Sequence, residues 1–218
     1  MRIGLTLPTP GENPDLATLL GAVEHAEKLG LAAAWMPNIS SRGFDAPMAL
    51  ALAGARTRRI ELGTFVVPTF TRHTIVMAQQ ALSAQAATGG RFVLGIGLSH
   101  RSAMEGQLGF DSRGRSGTCA STSTCLTALL RGQTVDFTGE QFQVHNFTLT
   151  PPPGVTAPPI LVAALGPQML ATGRAALRRH GDLGRWAPVR RGSREGHRRR
   201  RRRRGPARAA RARERPRV

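Results

Sequence analysis

Small residues gather where three apolar runs of this sequence end, and that is where chemistry is first expected. Gly63-Thr64 lies within the run 60–67, Gly95-Ile96-Gly97-Leu98-Ser99-His100 ends the run that starts at Arg91, and Ala163-Ala164-Leu165-Gly166 ends the run from Pro159. A flat tricyclic ring of the flavin kind needs glycine or alanine at its borders, because a larger side chain would occupy the volume of the ring. For any one of these positions the plainer reading is filler in a tapering barrel. Their shared position at run ends favours the cofactor reading. Beside them, His100 is a polar group at the same end, and His73 stands before a helix where it can cap a phosphate or touch substrate. Trp35 can wall an aromatic cofactor or sit in the core. Gly95-x-Gly97 alone is a weak nucleotide signal, since His100 stands where the third glycine of the dinucleotide fingerprint would be.

The elements that must position these residues alternate as βα units, which predicts an α/β fold around a parallel sheet. Strands are expected at Arg2–Leu7, Leu31–Met36, Ile60–Val67, Arg91–Ile96 and Pro159–Leu165. Helices are expected from Pro14, with Asn13 as cap and Gly30 as stop, then over Ala46–Arg56 and Thr74–Ala87, with the end of a fourth at Leu126–Leu130. The alternating stretch Val135–Val144 turns on Asp, Thr and Gly as a hairpin does. An open doubly wound sheet is the rival architecture, but its fingerprint should follow the first strand, where this chain has Leu7-Pro8-Thr9-Pro10-Gly11. The barrel is favoured, with five βα units legible.

Charge divides the chain. Lys and Arg total 31 against 13 Asp and Glu, giving a formal net charge of +18, but residues 1–172 carry 12 basic and 10 acidic residues while 173–218 carry 19 and 3. The expectation is a globular domain over 1–172 and a disordered Arg-rich tail over 173–218, too poor in apolar residues to offset its ordering entropy. A chain with such a tail has a rival reading from another class, nucleic-acid binding through clustered arginines. Against it, the tail has no recognition fold and, among aromatics, only Trp186. Two cysteines, Cys119 and Cys125, without histidines at zinc spacing give neither a disulfide framework nor a metal site. With no signal-peptide or membrane-span pattern, the expected location is the cytoplasm.

The residues around the first candidates resemble a known family. Arg59-Ile60-Glu61-Leu62-Gly63-Thr64-Phe65-Val66-Val67-Pro68, Met77-Ala78-Gln79-Gln80-Ala81-Leu82, the run Ala86 to Gly97 and the run Pro159 to Pro167 are similar to luciferase-like monooxygenases. The nearest branch is the actinobacterial type that uses a deazaflavin, coenzyme F-420, with FMN as the alternative cofactor. The resemblance implies a (β/α)8 TIM barrel, hydride transfer to or from a small organic substrate at its mouth, and a homodimer in intact relatives. It also implies that Gly63, Thr64, Phe65 and Val66 form a platform on the third strand, often with a non-proline cis peptide. Gly95 and Gly97 would admit the ring, and Ala163, Ala164 and Gly166 would border the tail of the cofactor. One departure is Trp35-Met36-Pro37-Asn38, where many relatives carry an acidic residue followed by histidine. The catalytic acid/base is thus unassigned, with His100 and His73 as candidates.

Two segments depart from the pattern. Residues 112–125 are polar where a barrel needs a helix to cover its sheet. Reverse-translated and read in a shifted frame, Ser116–Cys125 regains apolar residues at helical spacing, and the start of the tail regains a strand-like string. Both segments are therefore read as frameshift products. Residues 112–125 are expected to leave the wall over the fourth and fifth strands bare, and the chain as written is expected to be inactive.

Overall fold

The protein is described by a computed structural model, covering residues 3–7, 14–38, 43–110 and 115–163. These residues supply one parallel sheet walled by helices. In chain order the elements are β1 (Gly4–Thr6), α1 (Leu16–Lys28), β2 (Ala33–Met36), α2 (Ala46–Arg56), β3 (Glu61–Thr64), β4 (Val67–Pro68), α3 (Thr74–Ala87), β5 (Phe92–Gly97), α4 (Arg101–Gly106), α5 (Arg115–Leu130), β6 (Thr134–Thr138), β7 (Gln143–Thr148) and β8 (Ile160–Val162). The sheet order is β1-β2-β3-β5-β4, with β8 on β5. Every pair in it is parallel, with Trp35 opposite Gly63 and Leu94 opposite Ile160. β6 and β7 form the expected hairpin apart from the sheet.

Two helices begin and end at the residues their sequence signals mark. Asp45 caps α2 by accepting the Met48 N–H at 3.2 Å, and Pro47 occupies the first turn, where a missing N–H costs nothing. α3 stops at Thr88, ahead of Gly89 and Gly90, which both take positive φ. α1 differs from expectation: its cap is Asp15, whose carboxylate accepts the Thr18 N–H at 2.7 Å, so the helix opens at Leu16 and not at Pro14. The expected cap Asn13 lies outside the described residues, as does Arg2. The third strand is also not one piece. It breaks after Thr64 and resumes at Val67, with a cis Phe65–Val66 peptide between, where the family resemblance placed one.

The largest correction concerns residues 112–125. The expectation was a bare wall, but Arg115–Leu130 is one helix that buries Cys119, Cys125, Leu126, Leu129 and Leu130. Two of its buried hydroxyls find partners inside the helix, Ser123 donating to the Cys119 carbonyl at 2.7 Å and Thr127 to that of Ser123 at 2.8 Å, while that of Thr122 is buried without one. Leu94, Ile96 and Ile160 of β5 and β8 are accordingly buried in the same core as Leu126 and Leu129.

A candidate active site at the barrel mouth

Side chains alternate across a strand, so the faces of this sheet can be told apart. Phe92, Leu94 and Ile96 of β5, Ala34 and Met36 of β2 and Leu62 of β3 join the core beneath the helices. Trp35, Gly63, Val93, Gly95 and Gly97 therefore take the opposite, inner face. In a parallel barrel the chemistry belongs at the C-terminal ends of the strands.

At that end, the reason for each glycine is a neighbour within the protein. A Cβ on Gly63 would lie 2.1 Å from the indole of Trp35, on Gly95 2.0 Å from the carbonyl oxygen of Thr64, and on Gly97 2.8 Å from Val66 and 3.2 Å from Ala163. The expected reason, room for a cofactor ring, is thus corrected at Gly63, where the ring accommodated is the indole of Trp35. Thr64 is buried, and its hydroxyl both donates to the Gly95 carbonyl and accepts the Gly95 N–H, each at 2.8 Å. That pair of bonds joins β3 to β5 where the strand breaks.

The mouth itself is Gly97 with Val66 and Ala163 beside it, flanked by Phe65, which is 58% exposed. None of these four carries charge. They fit one face of a flat ring: the floor is apolar, and any side chain at Gly97 would strike Val66. Ala164 and Gly166 lie outside the described residues.

The two histidines are not brought together. His100 follows β5, is exposed, and caps α4 without a side-chain hydrogen bond. His73 is committed at both nitrogens. Its Nδ1 accepts the Ile75 N–H at 3.3 Å, so Nε2 carries the proton and donates to the Gln143 carbonyl at 2.9 Å. Asn38, at the departure noted in strand two, accepts the Ala46 N–H on Oδ1 at 2.8 Å and helps open α2.

Sequence reasoning missed the ion pair at this rim. Arg72 binds the carboxylate of Asp45, tying the β4–α3 loop to the start of α2. Burial pushes the Arg72 pKa down, and its Nη1 is buried without a hydrogen-bond partner, as are Thr69 Oγ1 and Thr74 Oγ1. Nothing in the sequence marked this pair, whose partners stand 27 residues apart. Among the described residues, no group of three or more His, Cys, Asp or Glu could hold a metal ion, and no helix is long and apolar enough to cross a membrane.

The family model for luciferase-like monooxygenases matches residues 1–218. The chain belongs to that family. Luciferase-like proteins are oxidoreductases and monooxygenases, and the relatives of this one include both. A phthiodiolone/phenolphthiodiolone dimycocerosates ketoreductase of Mycobacterium bovis is 33% identical over 160 residues, which is 71% of this chain and 42% of that protein. The chain thus spans less than half the length of this curated relative. The coenzyme F-420-dependent tetrahydromethanopterin reductase from Methanopyrus kandleri shares the fold with a TM-score of 0.68 at 21% identity, covering 79% of this chain and 52% of the other. An FMN-bound type II Baeyer-Villiger monooxygenase of Pseudomonas putida has a TM-score of 0.66 at 17% identity over 83% and 60%.

Proposed function

We propose that the mouth holds the ring of a deazaflavin, coenzyme F-420, and that this luciferase-like protein passes a hydride between that ring and a small organic substrate. The observation that carries the reading is the uncharged floor of Val66, Gly97 and Ala163 beside exposed Phe65, at the C-terminal ends of parallel strands. When bound, the deazaflavin supplies or takes up the hydride. The residues of the chain do the rest. The floor keeps water from one face of the mouth. His100, exposed just beyond β5, holds the proton that a carbonyl oxygen needs on becoming an alcohol, or removes it in the reverse direction. Asn38 cannot take that role, since a carboxamide does not act as a general acid or base and its oxygen is engaged by Ala46.

The named ketoreductase relative supports carbonyl chemistry, and the likeness to a coenzyme F-420-dependent reductase supports the choice of cofactor. The second reading is an FMN monooxygenase, favoured by the likeness to an FMN-bound structure.

Fluorescence titration of the chain with coenzyme F-420 and with FMN tests this. Coenzyme F-420 should bind the more tightly, and Phe65→Ala should weaken it roughly tenfold by removing an aromatic contact. Tighter binding of FMN would overturn the cofactor choice. Binding of either that ignored Phe65→Ala would overturn the placement at this mouth.

A further inference from the structure

A cavity of about 320 Å3 lies between the first turns of α5 and the closed end of the β6–β7 hairpin. Gly117, Thr118 and Ser121 line it from the helix, and Phe137, Glu140 and Phe142 from the hairpin. None of them belongs to the mouth described above.

Each wall has a cause in the sequence. Gly139 lets the Phe137 ring fold over the turn, since a Cβ there would lie 2.6 Å from that ring. The rings of Phe137 and Phe142 have centroids 5.0 Å apart and make one apolar wall. His73 holds that wall in place, meeting Phe142 edge-on at 6.0 Å while bonding the neighbouring Gln143 carbonyl. Opposite, Gly117 leaves the helix bare, because a Cβ there would meet nothing within 4 Å.

We propose that this cavity is a second small-molecule site, and that its ligand is a neutral aromatic alcohol or ketone. The volume equals that of roughly ten water molecules, at the lower end of small-ligand pockets and suited to one substituted ring. Phe137 and Phe142 take the ring, which packs against aromatic faces or edges. On the facing wall, the hydroxyl of Ser121 suits a single hydroxyl or carbonyl oxygen. The carboxylate of Glu140 at the hairpin turn repels an anion, so a carboxylic acid of the same size is refused.

Saturation-transfer NMR on the full 218-residue chain, with phenol, acetophenone and benzoate as probes, tests the proposal. Phenol and acetophenone should bind, and benzoate at least tenfold more weakly. Gly117→Leu sends its side chain into open space and should abolish binding with the far-UV circular dichroism kept. Phe65→Ala, at the barrel mouth, should leave binding unchanged, which separates this site from any failure of the cofactor reading. Should Gly117→Leu fail to fold, Ser121→Ala serves instead: acetophenone should bind several-fold more weakly, as for one lost hydrogen bond. Absence of binding by the native chain, binding that survives these pocket substitutions, or equal binding of benzoate would overturn the proposal.

Discussion

The two ends of the same sheet are built by different rules. At the N-terminal end of the strands, polar groups are paired. Glu27 accepts the N–H groups of Arg58, Arg59 and Ile60 at 2.6 to 3.2 Å, clasping α1 to the start of β3. Arg91 donates to the carbonyls of Gly54, Thr57 and Ile60 and to the Thr57 hydroxyl at 2.8 to 3.1 Å, closing the end of α2. Gln85 accepts the first N–H of β5 at 3.0 Å. At the C-terminal end, Thr69, Arg72 and Thr74 each keep a buried polar atom without a partner, and Phe65 faces solvent. Satisfied groups hold a fold together, whereas unsatisfied ones lower stability and stay available. The difference teaches that along these strands stability and chemistry are assigned to opposite ends, as parallel barrels in general assign them.

The comparison is most easily broken at Arg91. Arg91→Ala removes a charged donor from three carbonyls at once and should cost about 3 kcal/mol, read as a lower urea midpoint at unchanged slope. Arg91→Lys should recover less than half of that loss, since an ammonium lacks the planar fork. A loss below about 1 kcal/mol would mean the clasp is ornamental.

Glu27 gives the next effect. Desolvation raises its pKa, but the hydrogen bonds from Ile60, Arg59 and Arg58 outweigh it, so the net shift is downward from 4.5. A lowered pKa in the folded state means stability present above pH 4.5 and lost as the pH falls below it. Glu27→Gln should cost about 1 kcal/mol near neutrality and flatten the acid limb of the stability profile. An unchanged acid limb would assign the acid sensitivity elsewhere.

At the opposite end the sign should reverse. Thr69→Val replaces an unpaired buried hydroxyl with a methyl group of similar shape and should raise stability by roughly 0.5 to 1 kcal/mol. Destabilisation of that size would show that Thr69 has a partner, and that the two ends are less different than described.

The smallest effect concerns α5. Burial pushes the Cys119 thiol up to about 12 and the Cys125 thiol up to about 11. Neither should react with iodoacetamide at pH 8 in the folded chain, while both react in urea. Rapid labelling under native conditions would mean that α5 opens readily and that the wall over β5 is less secure than the clasped end.

Much of the fold was legible in the sequence, for reasons that differ along the chain. α2 and α3 were legible because the apolar pattern outlines both and Gly89-Gly90 stops the second. α5 could not, since Ser and Thr fill positions where periodicity should show. The hydroxyls of Ser123 and Thr127 bond within the helix, and packing against the sheet overrides weak propensity. Of the site, the cluster of small residues was legible and its cause was not. That Gly63 serves Trp35, and Gly95 the carbonyl of Thr64, depends on contacts between strands that no local pattern encodes. The Arg72–Asp45 pair was hidden for the same reason.

The bonds between Thr64 and Gly95 carry a consequence for how such a sequence can drift. Where β3 breaks, a side-chain hydroxyl gives and receives the hydrogen bonds that a peptide group would otherwise exchange with β5. Sheets ordinarily tolerate substitution because their ladder is written in the main chain, which every residue shares. At position 64 one rung is written in the side chain. A valine there would fit the space and suit a strand, yet it would leave the Gly95 N–H and carbonyl facing a methyl group, much as a proline silences a rung from within. The alphabet at this position is thereby reduced to the two β-hydroxy amino acids, threonine and serine.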